Sequence, residues 1–211
     1  MNVLILTNGE YGDYSFCKED DQKYDYVICA DRGMKHAHEL GIIPQLIVGD
    51  FDSGSEEDLL YFKERGITIE SFDPVKDETD TELAIKRAVD RGATSITVYG
   101  GIGTRLDHSL ANVHLLYGLI NLGISGRLMN PHNTVYLVSN EIILEGEKGS
   151  LVSLIPFAGD AHGITSQHLG YPLSNATLKM GTSLGISNYM TEKAAKISVE
   201  TGILIVICAR D

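Results

Sequence analysis

The sequence predicts two domains: an α/β domain with a mostly parallel sheet over residues 1–130, then an all-β sandwich domain over residues 131–211. Three observations carry this. Short apolar, β-branched runs alternate with helical patterns as far as residue 130, and strands separated by helices imply βαβ units. Acidic or glycine-rich turns recur where a strand gives way to a helix. Beyond Pro131 long helical patterns stop, and short strands follow one another through glycine turns.

In order, Val3–Thr7, Tyr26–Ala30, Leu46–Gly49, Ile67–Glu70, Ser95–Tyr99 and Gly126–Met129 read as strands. Ser55 is an N-cap leading into Leu59, Leu60 and Phe62, and Gly66 stops that helix. Thr79-Asp80-Thr81-Glu82 matches a capping box, followed by the apolar stripe Ala84, Ile85, Ala88, Val89 and the stop Gly92. Asp107 caps a third helix that ends near Gly123. In the second half, Thr134–Val138, Ile142–Leu144, Leu151–Ile155, Ala176–Met180, Ile197–Glu200 and Ile203–Cys208 read as strands, and residues 192–196 as one helical turn. That pattern suits an antiparallel sandwich.

Composition narrows the class. An apolar content of 43% places the chain with globular proteins, and no apolar run is long enough to span a membrane. A net charge of −12 argues against a nucleic-acid surface. Cys17, Cys29 and Cys208 are odd in number and lack a C-x-x-C, so neither a disulfide framework nor a zinc site is expected. Residues 1–9 read as a strand and turn rather than a signal peptide, and the expected location is the cytoplasm.

Carboxylates crowd two stretches at strand-to-helix turns, Gly49-Asp50-Phe51-Asp52-Ser53 and Lys76-Asp77-Glu78-Thr79-Asp80. At ~4 Å and an effective dielectric of about 20, each pair costs roughly 4 kcal/mol. Such clusters suit a hard divalent cation, and Mg²⁺ is commonly held by carboxylates together with substrate phosphates. Asp50 and Asp52, two apart on a strand, point the same way while Phe51 points into packing. Each stretch also has a plain structural reading: Asp-x-Asp as a surface turn, and the Asp77–Asp80 acids as stabilisers of a helix N-terminus. A third turn, Gly100-Gly101-Ile102-Gly103-Thr104-Arg105-Leu106-Asp107-His108, follows a strand and opens a helix. That is where a phosphate-cradling loop sits, although the P-loop Lys-Ser/Thr is missing. Arg105 offers a planar fork for phosphate oxygens. His108 reads either as a base or as a helix-start histidine bonded to its neighbour.

In this order, Ala30-Asp31-Arg32-Gly33, the two acidic stretches, the Gly100–His108 loop, Leu169-Gly170-Tyr171-Pro172-Leu173 and Gly185-Ile186-Ser187-Asn188 resemble the thiamine pyrophosphokinase family. The resemblance spans nearly the whole chain. It implies a Rossmann-like nucleotide-binding domain joined to a β-sandwich, a homodimer with active sites near its interface, and transfer of the pyrophosphoryl group of ATP to the hydroxyl of thiamine. It further implies that Asp50, Asp52 and Asp80 hold Mg²⁺ with Thr79 beside them. Gly100, Gly101, Arg105 and Asp107 would contact ATP, with Asp31 and His108 nearby, and Tyr171, Ser187 and Asn188 would contact thiamine. The chain departs from the family pattern at Gln45, where aspartate is expected, at Thr104, where glycine is, and at Arg32, where many members have a second glycine. Two other classes fit parts of the pattern. A phosphatase of the haloacid dehalogenase type would use Asp50 as nucleophile and Asp52 as acid/base, but its Asp-x-Asp follows the first strand of its fold. A sensor would bind ATP or thiamine without turnover.

Overall fold

The computed structural model describes residues 1–51 and 56–210. Ser55, expected to cap a helix, and Asp52, expected to bind metal, lie outside the described residues. The chain divides into two compact units, Met1–Pro131 and His132–Asp211.

Among the described residues, the first unit is built on six strands: β1 (Asn2–Leu6), β2 (Tyr26–Ala30), β3 (Leu46–Gly49), β4 (Thr68–Ser71), β5 (Ser95–Tyr99) and β6 (Ser125–Met129). They lie in the order β4-β3-β2-β1-β5-β6, and every adjacent pair is parallel. Val3, Leu4, Ile5 and Leu6 are all buried, so both faces of β1 are covered. That is why its sequence is a continuous apolar run instead of an alternating one. Among the described residues, five helices connect the strands: α1 (Ser15–Glu19), α2 (Gly33–Leu40), α3 (Glu56–Glu64), α4 (Asp80–Asp90) and α5 (Leu106–Asn121). Ala84 and Ala88 of α4 are fully buried and let that helix lie close to the sheet, where it packs against β1, β2 and β3.

Two readings of this unit need correction. The helix expected after Asp107 starts two residues earlier: Arg105 is its N-cap residue, makes no side-chain cap, and Asp107 falls in the first turn. Asp50 is expected on the strand, but β3 ends at Gly49 and Phe51 is left-handed (φ 57°), so the strand's period of two does not reach Asp50 or Phe51. Phe51 nonetheless packs against the core, reached through a turn of the chain.

The segment before β2 is anchored by a buried polar cluster. Asp20, its side chain 3% exposed, accepts hydrogen bonds from Tyr99 Oη at 2.6 Å and from the Arg127 guanidinium at 2.7 and 2.8 Å. Tyr24 donates to it as well. Burial works against the charged form of Asp20, but Tyr24, Tyr99 and Arg127 outweigh it and hold its pKa below the usual carboxylate value.

The second unit holds β7 (Asn133–Val138), β8 (Glu141–Glu145), β9 (Leu151–Gln167), β10 (Ala176–Leu178), β11 (Asn188–Tyr189), β12 (Ala194–Ser198) and β13 (Thr201–Ala209), all paired antiparallel. β9 is the longest strand and changes partners along its length. Leu151–Phe157 pairs with β13, and Thr165–Gln167 pairs with β12. A shift of register separates the two stretches, with Ala158 left-handed at φ 61°. Such bulges bend a strand and re-aim it. No helical turn forms at 192–196: Glu192 and Lys193 lie in a bend and β12 starts at Ala194, fixed by pairing with β8 and β9. Among the described residues, no helix is long and apolar enough to cross a membrane.

Candidate active site

A cavity of about 770 Å³ opens where β1, β2, β3 and β5 of the first unit end. The strand order reverses between β1 and β5, and the crevice beyond such a reversal is where open α/β sheets bind ligands. Thr7, Asn8, Gly9 and Glu10, which follow β1, form one wall. Sequence reading missed these four, because they carry no motif and only the β1–β5 adjacency brings them to the glycine loop.

The loop after β5 is held by backbone and side chain alike. Gly100 is left-handed (φ 73°), and a Cβ built on Gly9 would sit 1.9 Å from Gly100 O, so the two loops touch at glycine. The buried Tyr11 hydroxyl lies 3.0 Å from Tyr99 O and 3.1 Å from Thr7 O, tying the loop after β1 to the end of β5. From α5, the Asn112 amide donates to Gly101 O at 2.7 Å, and Ser109 Oγ lies within 3.2 Å of Gly103 N, Gly103 O and Arg105 O. Ser109 and Asn112 thus fix the curve of the loop, a role that the sequence motif alone did not reveal.

Asp31, Asp50 and Asp80 line the cavity, together with Thr79 and Lys76. They come from the ends of β2 and β3 and from the start of α4. Thr79 caps α4 by accepting from Glu82 N at 3.2 Å, which fixes the turn that delivers Asp80. Lys76 Nζ lies 3.0 Å from Asp80 Oδ1 and 3.6 Å from Asp50 Oδ2. The contact with Asp80 is close in distance but lacks hydrogen-bond alignment. Oδ1 of Asp80, apart from this ion pair, and Oδ1 of Asp31 are buried with no hydrogen-bond partner among the described residues. Burial, followed by the charges of Asp80 and Asp50, pushes the Asp31 pKa up. Burial opposes the charge on Lys76, yet contact with Asp80 and Asp50 outweighs it and raises its pKa.

Unsatisfied carboxylate oxygens crowded at a cavity wall fit a divalent cation. Among the described residues, no three acidic, histidine or cysteine side chains come together closely enough to hold a metal by themselves.

Relief of this crowding is a measurable quantity. An Asp31→Asn variant is expected to raise the melting temperature of the metal-free protein at pH 7 by about 1–2 °C, small because the half-exposed site is screened. Because the folded pKa of Asp31 is raised, its neutral form favours folding at low pH, and that stability is lost as pH rises through the folded value. The gain from Asn should therefore vanish below about pH 4, as thermal melts across pH would record.

Arg105 and His108 also line the cavity. The Arg105 guanidinium pairs with Asp107 at 2.6 Å, and both side chains are exposed. Arg105, followed by the His108 backbone amide, holds the Asp107 pKa down to about 2. Asp107, expected to contact ATP, does not itself line the cavity. In the second unit, Asn188 is buried and grips the backbone of Tyr171, accepting from Tyr171 N at 2.9 Å and donating to Tyr171 O at 2.8 Å. The Tyr171 ring is exposed and stands edge-on to Tyr189. Ser187 is left-handed (φ 57°) and donates its amide to Ser153 Oγ at 3.1 Å. Tyr171 and Asn188 are thereby held together, with Ser187 next to Asn188 in the chain. Gln45, a departure from the family pattern, extends the β2–β3 ladder: its Oε1 accepts from Val27 N at 2.7 Å.

Carboxylates and a glycine loop at a reversal of strand order mark a class of α/β proteins that take phosphorylated ligands. Comparison with known proteins narrows the class. Residues 18–125 match the family model described as thiamin pyrophosphokinase, catalytic domain, and residues 136–204 match thiamin pyrophosphokinase, vitamin B1 binding domain. The chain is 32% identical to thiamine pyrophosphokinase of Bacillus subtilis over 87% of each sequence. The crystal structure of a thiamine pyrophosphokinase from B. subtilis superposes with a TM-score of 0.90 at 30% identity, covering 100% of both chains. That of thiamin pyrophosphokinase from Geobacillus thermodenitrificans gives 0.85 at 28% identity, covering 100% of this chain and 98% of the other. The chain belongs to the thiamine pyrophosphokinase family.

Proposed function

We propose that the chain transfers the pyrophosphoryl group of ATP to the hydroxyethyl oxygen of thiamine, giving thiamine diphosphate and AMP, as a Mg²⁺-dependent homodimer in the cytoplasm. The observation that carries this reading is the cavity where β1 and β5 part, which joins Asp31, Asp50 and Asp80 to the Gly100–Gly101 turn. The first unit is assigned to ATP and the metal as a Rossmann-like domain, supported by its wholly parallel strand order. The second unit is assigned to thiamine as a β-sandwich, supported by the split pairing of β9.

In this reading Asp50, Asp80 and Asp52 hold the metal. When bound, Mg²⁺ supplies positive charge to the phosphate oxygens. The Gly100–Gly101 turn lets the polyphosphate approach the backbone, and the free amides at the start of α4 add donors. Arg105 exchanges its exposed Asp107 partner for phosphate oxygens and stabilises charge on the transferring group. The hydroxyethyl oxygen of thiamine, bound near Tyr171, Ser187 and Asn188, attacks the β-phosphorus in line. The Pβ–O bond of the Pα–O–Pβ bridge breaks, AMP leaves with the bridging oxygen, and a carboxylate such as Asp80 or Asp77 takes the hydroxyl proton. Positioning and charge stabilisation suffice for such a transfer, so no covalent enzyme intermediate forms.

Incubation with Mg²⁺, ATP and thiamine, followed by chromatography, tests this reading. Equal amounts of AMP and thiamine diphosphate are expected. Inorganic phosphate with a phosphoaspartate trapped on Asp50 would indicate a phosphatase, and bound ligands without AMP would indicate a sensor.

A further inference from the structure

The carboxylate wall carries a cation of its own. Lys76 lies four residues before Asp80, lines the same cavity, and has a side chain only 13% exposed. Its Nζ stands 3.0 Å from Asp80 Oδ1 and 3.6 Å from Asp50 Oδ2, among the oxygens assigned above to the metal. An ammonium and a divalent cation repel, so the two compete for that position. The ammonium is shared between two carboxylates rather than committed to one. Lysine suits a mobile part: its compact charge sits on a flexible four-carbon stem with three rotatable donors, and it binds phosphate as a point charge. The glycine turn assigned to the polyphosphate borders the same cavity.

We propose that Lys76 is an exchangeable counter-ion, neutralising Asp50 and Asp80 in the metal-free protein and moving to the polyphosphate of ATP when the divalent cation binds. The inference rests on the metal and nucleotide assignment above. It makes Lys76 a part of the site that couples cation binding to nucleotide binding, because the arriving cation frees a positive charge for the phosphates. Removing the charge must therefore shift the two affinities in opposite directions, which a purely structural lysine would not do.

The test uses Mn²⁺, followed by electron paramagnetic resonance, and Mg²⁺ with α,β-methylene-ATP, followed by calorimetry. Lys76→Met is expected to bind Mn²⁺ about 5–10-fold more tightly without nucleotide and the analogue about 10-fold more weakly, each change being on the order of a single charged contact. Lys76→Gln, which keeps a polar side chain, should show the same two shifts, and Lys76→Arg, which keeps the charge, should move toward wild type. Circular dichroism melts confirm that each variant is folded. Unchanged or weaker Mn²⁺ binding by folded Lys76→Met overturns the exchange, and unchanged analogue affinity overturns the move to phosphate. Failure of the wild-type protein to bind Mn²⁺ or the analogue overturns the metal and nucleotide assignment itself, a distinct result.

Discussion

An Asp80→Asn variant is expected to form AMP and thiamine diphosphate ~10²–10⁴-fold more slowly than wild type, a loss of about 3–5 kcal/mol of transition-state stabilisation. The substitution keeps the size of the side chain, and Thr79 still caps α4 through Glu82 N. It removes one negative charge beside Lys76, so the fold should persist while the metal site fails. A melting temperature within a few degrees of wild type, measured beside the rate, separates loss of chemistry from loss of structure. Full activity in this variant would remove Asp80 from the proposed metal set.

The largest expected effect on stability lies away from the cavity. Asp20→Asn removes the charge opposite Arg127 in a cluster that is 3% exposed at Asp20 and 17% exposed at Arg127. Breaking a buried, hydrogen-bonded ion pair costs about 3–5 kcal/mol, because the remaining charge loses its counter-ion. For a unit of this size the melting temperature should fall by about 10–20 °C at pH 7. The sign of the pH dependence follows from the depressed pKa of Asp20. The stability it contributes is present above the unfolded carboxylate value, near pH 4, and is lost as pH falls through the lower folded value. The gap between wild type and variant should therefore be full at pH 7 and shrink toward pH 2–3, as melts at both ends would record. A fall of only a few degrees at pH 7 would mean that the phenols of Tyr24 and Tyr99, not the ion pair, carry the cluster.

The central strands β1 and β3 were legible because burial on both faces writes them as unbroken apolar runs, Val3–Leu6 and Leu46–Val48. α2 was not, because Gly33–Leu40 has few apolar residues and no capping side chain at Arg32; only Gly33, Met34 and Ala37 are buried. β12 looked helical because Glu192, Lys193, Ala194 and Ala195 favour helix locally, and pairing with β8 and β9 overrides that preference. β9 looked short because Pro156, Gly159 and Gly163 interrupt its pattern, while the strand runs on through a bulge.

Candidate site residues were visible where strand ends carry unusual chemistry. Asp31, Asp50, Thr79, Asp80, Gly100, Gly101, Arg105 and His108 are all found around one cavity. Thr7–Glu10 were invisible because their place depends on β1 lying beside β5, a fact of topology with no local signature. Asp20 and Arg127 are 107 residues apart, so nothing local in the sequence pairs them. Lys76 was in view as part of an acidic motif, but only the fold sets its ammonium between two carboxylates.

The most direct test of pyrophosphoryl transfer follows the fate of the β-phosphorus. ATP labelled with ³²P at the β position is incubated with Mg²⁺, thiamine and either wild-type protein or Asp80→Asn. The account predicts that wild type places the label in thiamine diphosphate in step with unlabelled AMP, and that the variant transfers almost none. Label retained in ADP, with or without thiamine monophosphate, would contradict transfer of the pyrophosphoryl group as a unit. Equal transfer by both proteins would contradict the assignment of the chemistry to this cavity.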